Sequence, residues 1–491
     1  MARGLRACLG GAVLFGTGLR VMSRTSVHPA FADPKHDLRN ILLLTWPVVV
    51  AQLLANAVPI FDLLMLGKYG TTTLAAVGYA SQFLMLTQAT LMALGAACVA
   101  MMARAIGARD DARARRAFAA NLWLAVAVTS ATWVLTWVFP EELLHLLAVK
   151  ESVIHLAVPY LRLTIASAPL MAIALTYESA FRAARDTFRP MFIVGLCACT
   201  KVLGNALMLT GVWGLPTLGL RGAGMATLGS QLVAALSFVL ISRAHRHSAV
   251  RLQLRDLKVP LSTLREAFAI AWPAVVERFA MNAATLVYFR FLGGYGVEAV
   301  AAYNVGVRIL AFTWIPGLGL SVAAATMVGQ SLGAGDADRA RRAGRLSQRL
   351  GAAIALTLAS LFILFRVPLA RLFTSDAAVV AALDPFILLL GVGLPFLVSH
   401  FTLAGALRGA GDTLTPLWAA AVGNWVFRVP LGYLCAQLLH VELFWVWSIM
   451  IVDHLTRAVW LSFAFKHGRW HERLGAAPRR RSRAPRVADA A

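Results

Sequence analysis

Two long stretches of this sequence repeat one another at a fixed offset of 226 residues. Trp46-Pro47 returns as Trp272-Pro273 and Tyr69-Gly70 as Tyr295-Gly296. Gly107-Ala108 with Ala114-Arg115-Arg116-Ala117 returns as Gly333-Ala334 with Ala340-Arg341-Arg342-Ala343. The register still holds at Asp186-Thr187 and Asp412-Thr413, and at Pro190 and Pro416, so no net insertion separates the copies. Such a chain folds as two similar units in tandem. Long hydrophobic copies with interior Gly and Pro are the sequence sign of a transporter built from internal repeats, with its site where they meet.

The residues are 59% hydrophobic and only 14% charged, and the mean hydropathy is +0.70, too apolar for a soluble protein of this length. A helix needs about 20 apolar residues to cross a bilayer. Such runs occur near 41–66, 71–103, 119–139, 156–181, 188–212 and 218–242, and again near 267–292, 297–331, 347–366, 378–406, 414–438 and 443–465. Their lack of a strand-like alternation favours helices over a β-barrel. The expected fold is an all-α polytopic membrane protein with twelve transmembrane helices in two six-helix repeats. An even number per unit starts both on the same side, so the repeats are parallel.

A net charge of +23 is compatible with a nucleic-acid binder, but the cations are unevenly placed. With a cytoplasmic N-terminus, the inside loops hold Arg109, Arg113, Arg115 and Arg116, then Arg182, Arg185 and Arg189, then their counterparts around Arg341 and Arg408, and a tail cluster from Arg479 to Arg486. The outside loops offer only Lys68, Lys150, Arg221, Arg366 and Arg371. That asymmetry is the positive-inside rule, which puts both termini in the cytoplasm. The excess charge therefore points to topology and anionic lipid, with no nucleic acid as partner. Five cysteines, an odd number and all but Cys8 within spans, lead us to expect no disulfide and no metal site.

The expected organisation is an N-terminal extension at 1–40, an N-lobe at 41–242, a cytoplasmic linker at 243–266, a C-lobe at 267–466 and a basic cytoplasmic tail at 467–491. The apolar run at the start is broken by Gly and ends at Arg20, which favours a disordered extension, or a true start at Met22, over a cleaved signal.

Parallel six-helix halves also describe the major facilitator transporters, but an inside loop of the second half decides otherwise. Leu407-Arg408-Gly409-Ala410-Gly411-Asp412-Thr413, closing on Pro416, resembles the signature loop of the multidrug and toxic compound extrusion (MATE) family, nearest its bacterial NorM-like branch. The segment from Phe181 to Pro190 is a weakened copy. Ala301-Ala302-Tyr303-Asn304 with Pro316-Gly317 and Val328 through Gly335 resembles the eighth helix of that family. Trp46-Pro47 with Asp62 resembles its first helix, and Arg428-Val429-Pro430-Leu431 its eleventh. The resemblance implies a V-shaped exporter in the bacterial inner membrane whose lobes rock between inward and outward openings. It implies cationic lipophilic substrates leaving in exchange for H+ or Na+, no cofactor and a monomer.

Ionisable groups within the spans are the informative ones, because a charge at mid-bilayer costs about 2.5–3.5 kcal/mol on insertion scales. Asp62 lies three residues after Pro59, which removes a backbone hydrogen bond and bends a helix. It is either a carboxylate held in a fixed pair or one that couples protonation to shape, and in the resemblance it falls on the acidic position of the cation site. The family pattern Asn-x-x-x-Asp on the fifth helix reads here Lys201 and Asn205. Lys201 either pairs with Asp62 in place of a bound cation or snorkels toward the interface. Of the adjacent Glu277 and Arg278, which point to different helix faces, one is expected to face the cavity. His400 is either a packed ring or a proton site, and the acidic residue that the resemblance implies three positions earlier is Leu397. Glu178 with Arg182, and Asp453 with Arg457, are four apart on one helix face and read as structural pairs. In the loop motif, Gly409 and Gly411 permit turns and Asp412, with its counterpart Asp186, can cap the following helix; the motif, Arg408 included, is either a helix cap and nothing more or a gating element. Trp46, Tyr177, Trp272, Tyr288, Tyr303, Trp314 and Trp425 are candidates for cation–π contact or interface anchoring.

No zinc-protease or phosphate-loop motif is present, and the serine at Gly319-Leu320-Ser321 lacks the final Gly of a nucleophile elbow, so the chain is not read as an enzyme. The expected function is secondary export of organic cations by antiport with H+, less favourably Na+. The alternative is a lipid-linked precursor flippase of the same superfamily, which would want several cations around a diphosphate. The topology is checked by a single cysteine placed in 243–266: a membrane-impermeant thiol reagent should reach it only from the cytoplasmic face, and labelling from outside alone would overturn the orientation.

Overall fold

The computed structural model describes residues 36–147, 149–210, 217–244, 248–373 and 376–470. The expected N-terminal extension up to residue 35, and the basic tail beyond residue 470, lie outside the described residues. In the first half the helices are α1 (Asp37–Leu66), α2 (Thr71–Gly107), α3 (Asp111–Val138), α4 (Pro140–Leu146), α5 (Glu151–Ala166), α6 (Ala168–Ala183), α7 (Phe188–Thr210) and α8 (Gly219–Ala244). In the second half they are α9 (Leu261–Leu292), α10 (Val297–Gly333), α11 (Ala337–Leu364), α12 (Arg366–Phe373), α13 (Ala377–Gly409), α14 (Leu414–Ala421), α15 (Val429–Tyr433) and α16 (Leu443–His467). The repeat register is visible in three dimensions: α2 and α10, and α3 and α11, begin and end 226 residues apart, and α5 with α6 spans the same interval as the unbroken α13.

Ten helical segments among the described residues are long and apolar enough to cross a membrane. The other two expected spans are helical as well. One is α9, whose apolar run is diluted by Glu277, Arg278 and Arg290. The other, 414–438, is not the regular helix expected, because π-helical turns at Val422–Arg428 and Leu434–Leu438 flank α15. Pro430 has no N–H to donate back along the helix, and a local widening of the ladder accommodates that loss. By contrast, α1 runs without interruption through Pro47 and Pro59.

Each half has its own apolar core. Leu94, Met102, Phe118, Phe181 and Phe238 fill one in the first half, and Tyr288, Phe386, Leu390 and Trp447 fill one in the second. The halves are joined by exchange: α1 packs on α10 and α9 packs on α2, and Ile41 and Leu44 of α1 belong to the core of the second half.

The closest approach lies at the end that carries the α2–α3 and α10–α11 turns, which we call the basic end. Gly107 closes onto the backbone oxygen of Gln330, and Gly333 onto that of Arg104, leaving no room for a Cβ at either. These four positions are related by the repeat, so the crossing is two-fold symmetric. Around it, the Arg104 guanidinium donates to Ala410 O at 3.1 Å, Gln330 Nε2 donates to Ala183 O at 2.7 Å and Thr326 Oγ1 donates to Arg182 O at 3.2 Å. Each lobe thus satisfies carbonyls at the C-terminal end of a helix in the other, where intrahelical donors run out. Arg339 adds an ion pair across the lobes to Asp37 at 2.9 Å. Beside it the Arg185 guanidinium is pushed down to about 10, first by burial and then by repulsion from Arg339. The segment between the lobes folds back on the first: Arg115 pairs with Asp256 at 3.1 Å, and the Trp123 indole donates to Leu257 O at 3.0 Å.

The turns at this end differ between halves in a telling way. Gly335 and Gly411 take φ of 80° and 82°, while their counterparts Arg109 and Arg185 are held at 58° and 62°. A side chain in that region costs about 1–2 kcal/mol. Asp110 and Asp336 cap α3 and α11 through Arg113 N and Arg339 N at 2.9 and 2.7 Å.

Because a Cβ at Gly333 falls on the Arg104 carbonyl, Gly333→Ala should force α2 and α10 apart at a cost of about 1–3 kcal/mol. A cysteine at the basic end between the lobes should then react faster with a thiol reagent in permeabilised membranes. Gly78→Ala, where nothing lies within 4 Å, should change little; equal labelling in both variants would dismiss the crossing as the barrier.

Candidate functional site

Three of the residues singled out in the sequence meet in the first lobe. Lys201 and Asn205 are one turn apart on α7 and so share a face, and both are buried, Asn205 completely. Gly204 between them leaves α7 close to α8, with a Cβ there only 3.0 Å from that of Ala226. The ammonium of Lys201 donates to Asn205 Oδ1 at 3.0 Å and to Ala223 O of α8 at 2.9 Å. Its third direction faces Asp62 Oδ1 of α1 at 3.6 Å, and Asn205 Nδ2 donates to the same oxygen at 2.5 Å. Lys201 therefore reaches the carboxylate and does not snorkel. Its three donors are all directed at oxygens, which is the full capacity of an ammonium. The Asp62 side chain remains 20% exposed against 6% for Lys201, so the carboxylate is the more open member of the pair. The Ala223 carbonyl could not have been found in the sequence, since every residue has one.

The same place in the second lobe is built from different groups. Tyr288 stands where the repeat has Asp62; it is buried, and its hydroxyl donates to Val446 O at 2.7 Å. The Arg428 guanidinium lies over its ring, 4.6 Å from the centroid, and donates to the Tyr303 hydroxyl at 3.4 Å. A phenol thus replaces the carboxylate, Phe427 stands at the repeat position of Lys201, and the neighbouring Arg428 supplies the cation. His400 is not brought to Asp62. It lies inside the second lobe, stacked on His454 with centroids 5.3 Å apart. Next to His454, Asp453 binds Arg457 through two hydrogen bonds of 2.6 and 2.8 Å, with Arg428 at 3.9 Å. His454 and Arg428 carry this cluster and were not singled out from sequence as a site; a polar residue one turn from another on an apolar helix was the available signal.

Between the lobes, α2, α6, α9, α10 and α13 enclose a cavity of about 130 Å³. Gly95, Ser179, Ser321 and Gly405 line it. They form a pair of crossings in which the repeat exchanges glycine and serine: Gly95 closes on Ser179, and Gly405 on Ser321. Arg182, Glu277, Arg278 and Arg408 also line the cavity. One of Glu277 and Arg278 was expected to face it; both do, because the cavity covers a wide arc of α9. Glu277 is not open in the cavity, since Arg408 donates to both of its oxygens at 2.6 and 2.7 Å. Arg182, the repeat counterpart of Arg408, is paired instead with Glu178 on its own helix.

The loop motif behaves partly as read. Asp412 accepts from Thr415 N at 3.1 Å and from its hydroxyl at 2.7 Å, and Asp186 accepts from Arg189 N at 3.2 Å. Gly411 makes the turn. Gly409 does not: it is helical, and its missing side chain lets α13 close on the Ala325 backbone of α10. Among the aromatics, Tyr177, Tyr288 and Tyr303 are core residues, whereas Trp46, Trp272 and Trp425 are exposed.

With this geometry in place, the relatives are informative. A family model described as MatE matches residues 47–207 and 273–434, one copy per half in the repeat register. The chain is 27% identical to the probable multidrug resistance protein NorM of Thermotoga maritima, with 90% of this chain and 95% of that one covered. It is 26% identical to the multidrug resistance protein PmpM of Pseudomonas aeruginosa, covering 81% and 83%. In fold it matches the MATE transporter VcmN of Vibrio cholerae in its bent form, with TM-score 0.81, 22% identity and coverage of 89% and 99%. It also matches a MOP superfamily transporter from Pyrococcus furiosus, with TM-score 0.82, 21% identity and coverage of 90% and 98%. The duplicated helical unit, the symmetric crossing of α2 and α10 and the matched halves lead to one conclusion: this multi-pass membrane protein belongs to the MATE family of transporters and is not an enzyme.

Proposed function

We propose that the protein exports drug-like amphiphiles, organic cations among them, across a bacterial inner membrane in exchange for inward H+, with Asp62 as the proton site. The placement of charge at the basic end, by the positive-inside rule, favours that end and both termini in the cytoplasm. The lobe contacts there then correspond to a state closed toward the cytoplasm. The names of the relatives as multidrug resistance proteins support the drug-like substrates.

The observation that carries the coupling ion is the Lys201 ammonium held among Asn205 Oδ1, Ala223 O and Asp62. Na+ needs several oxygen ligands around it, and here a fixed cation already occupies the centre of the available oxygens. A proton needs no such cage. With Asp62 charged, the carboxylate adds an ion pair between α1 and α7; once it is protonated that ion pair is lost, and the two states differ by it. The membrane potential drives the proton inward with about 2.3 kcal/mol per charge per 100 mV. The phenol at the corresponding place in the second lobe offers no second carboxylate, which supports assigning coupling to the first.

In proteoliposomes with one gradient imposed at a time, a pH gradient alone should drive export of a lipophilic cation such as ethidium. Asp62→Asn should abolish that export, and Lys201→Ala should reduce it by about tenfold, the order of one charge-assisted contact. Export driven by Na+ at zero pH difference, and indifferent to a protonophore, would refute the scheme.

A further inference from the structure

The interlobe cavity holds one arginine that forms no hydrogen bond or ion pair among the described residues. Of its three arginines, Arg182 is paired with Glu178 and Arg408 with Glu277. Arg278 lines the same cavity, half-buried on α9, and makes no hydrogen bond or ion pair with a described residue. Two negative charges against three positive ones leave the site net cationic. The remaining wall is apolar, with Leu91, Val99, Leu175, Leu318 and Val322. A guanidinium out of bulk water and without a partner is unfavourable until an anion reaches it, and its planar fork fits a carboxylate with two parallel hydrogen bonds.

We propose that Arg278 is an anion subsite of the transport cavity, and that the substrates this protein handles best carry a carboxylate on an apolar, aromatic body. The proposal deepens the exporter reading and rests on it. At about 130 Å³ the cavity is smaller than the 300–1,000 Å³ usual for a whole drug-sized ligand. It therefore accepts the acidic end of the molecule and leaves the remainder toward the cleft. A single uncommitted guanidinium matches one carboxylate; a lipid diphosphate would call for at least two, and the other two arginines are already committed to glutamates. Glu277, adjacent in sequence, directs both of its oxygens to Arg408 and makes no hydrogen bond with Arg278.

The test uses a matched pair of probes on the full-length protein in detergent or nanodiscs: rhodamine B, which has a free carboxylate, and its ethyl ester, which does not. Fluorescence polarisation gives both dissociation constants, and the same dyes are followed in proteoliposomes. Arg278→Gln should raise the dissociation constant for the acid relative to that for the ester by about tenfold, and Arg278→Lys should recover part of the ratio. An unchanged ratio in Arg278→Gln overturns the subsite, as does an equal loss for both dyes, which would make Arg278 structural. A shift larger for an isoprenyl diphosphate than for rhodamine B overturns the substrate class. If the acid dye binds in an Arg278-dependent way but neither dye is exported, the exporter reading fails and the subsite stands; if both are exported with an unaltered ratio, the reverse holds.

Discussion

The helices α2 and α10 touch through backbone alone where Gly107 meets Gln330 and Gly333 meets Arg104, and the closed arrangement of the lobes follows from that contact. No side chain fills the crossing, so the helices approach closely and their ends come within reach of the opposite lobe. Only at that separation can Arg104 and Gln330 satisfy the carbonyls of Ala410 and Ala183. A closure made of backbone contact and a few neutral or singly charged hydrogen bonds can also be released as a unit, since little apolar surface has to be uncovered at the crossing itself. The exchange of α1 onto α10 and α9 onto α2 supplies a larger packed surface between the lobes.

Duplication gave both lobes the same frame, and divergence gave them different chemistry. Asp62 pairs with Lys201 in one lobe, whereas in the other its repeat counterpart Tyr288 lies under Arg428, one residue beyond the counterpart of Lys201. A carboxylate and an ammonium form a pair that one proton can dissolve, whereas a phenol under a guanidinium keeps its contact by cation–π attraction over a wide range of conditions. The second lobe therefore offers a rigid counterpart, reinforced by Asp453 held between Arg457 and Arg428. The exchange of glycine and serine at the Gly95–Ser179 and Ser321–Gly405 crossings follows the same principle: the spacing is retained, and the side that supplies the hydroxyl is switched.

Electrostatics in the interlobe cavity differ from what a count of membrane carboxylates implies. Glu277 and Glu178 are each neutralised by an arginine one loop motif apart in the repeat, Arg408 and Arg182. Removing one member of such a buried pair leaves an uncompensated charge at a cost of about 3–5 kcal/mol. These pairs therefore maintain the cavity wall as much as they set its field.

The amino-acid order alone determined the duplication, the helical membrane class, the parallel arrangement and the position of every ionisable group along its helix. These properties rest on periodicity, length and hydropathy, which are local. The pairs four residues apart, Glu178 with Arg182 and Asp453 with Arg457, were legible for the same reason. Tertiary structure decided what those groups meet: that Lys201 turns inward to Asp62 and the Ala223 carbonyl, that Glu277 is claimed by Arg408 from a helix 131 residues away, and that His400 faces His454. It also decided that Gly409 serves a helix crossing and not a turn, and that α15 is flanked by π-helical turns. Side chains brought together by helix packing across more than a hundred residues obey distances that no spacing in the sequence encodes, so the identity of each charge was readable and its partner was not.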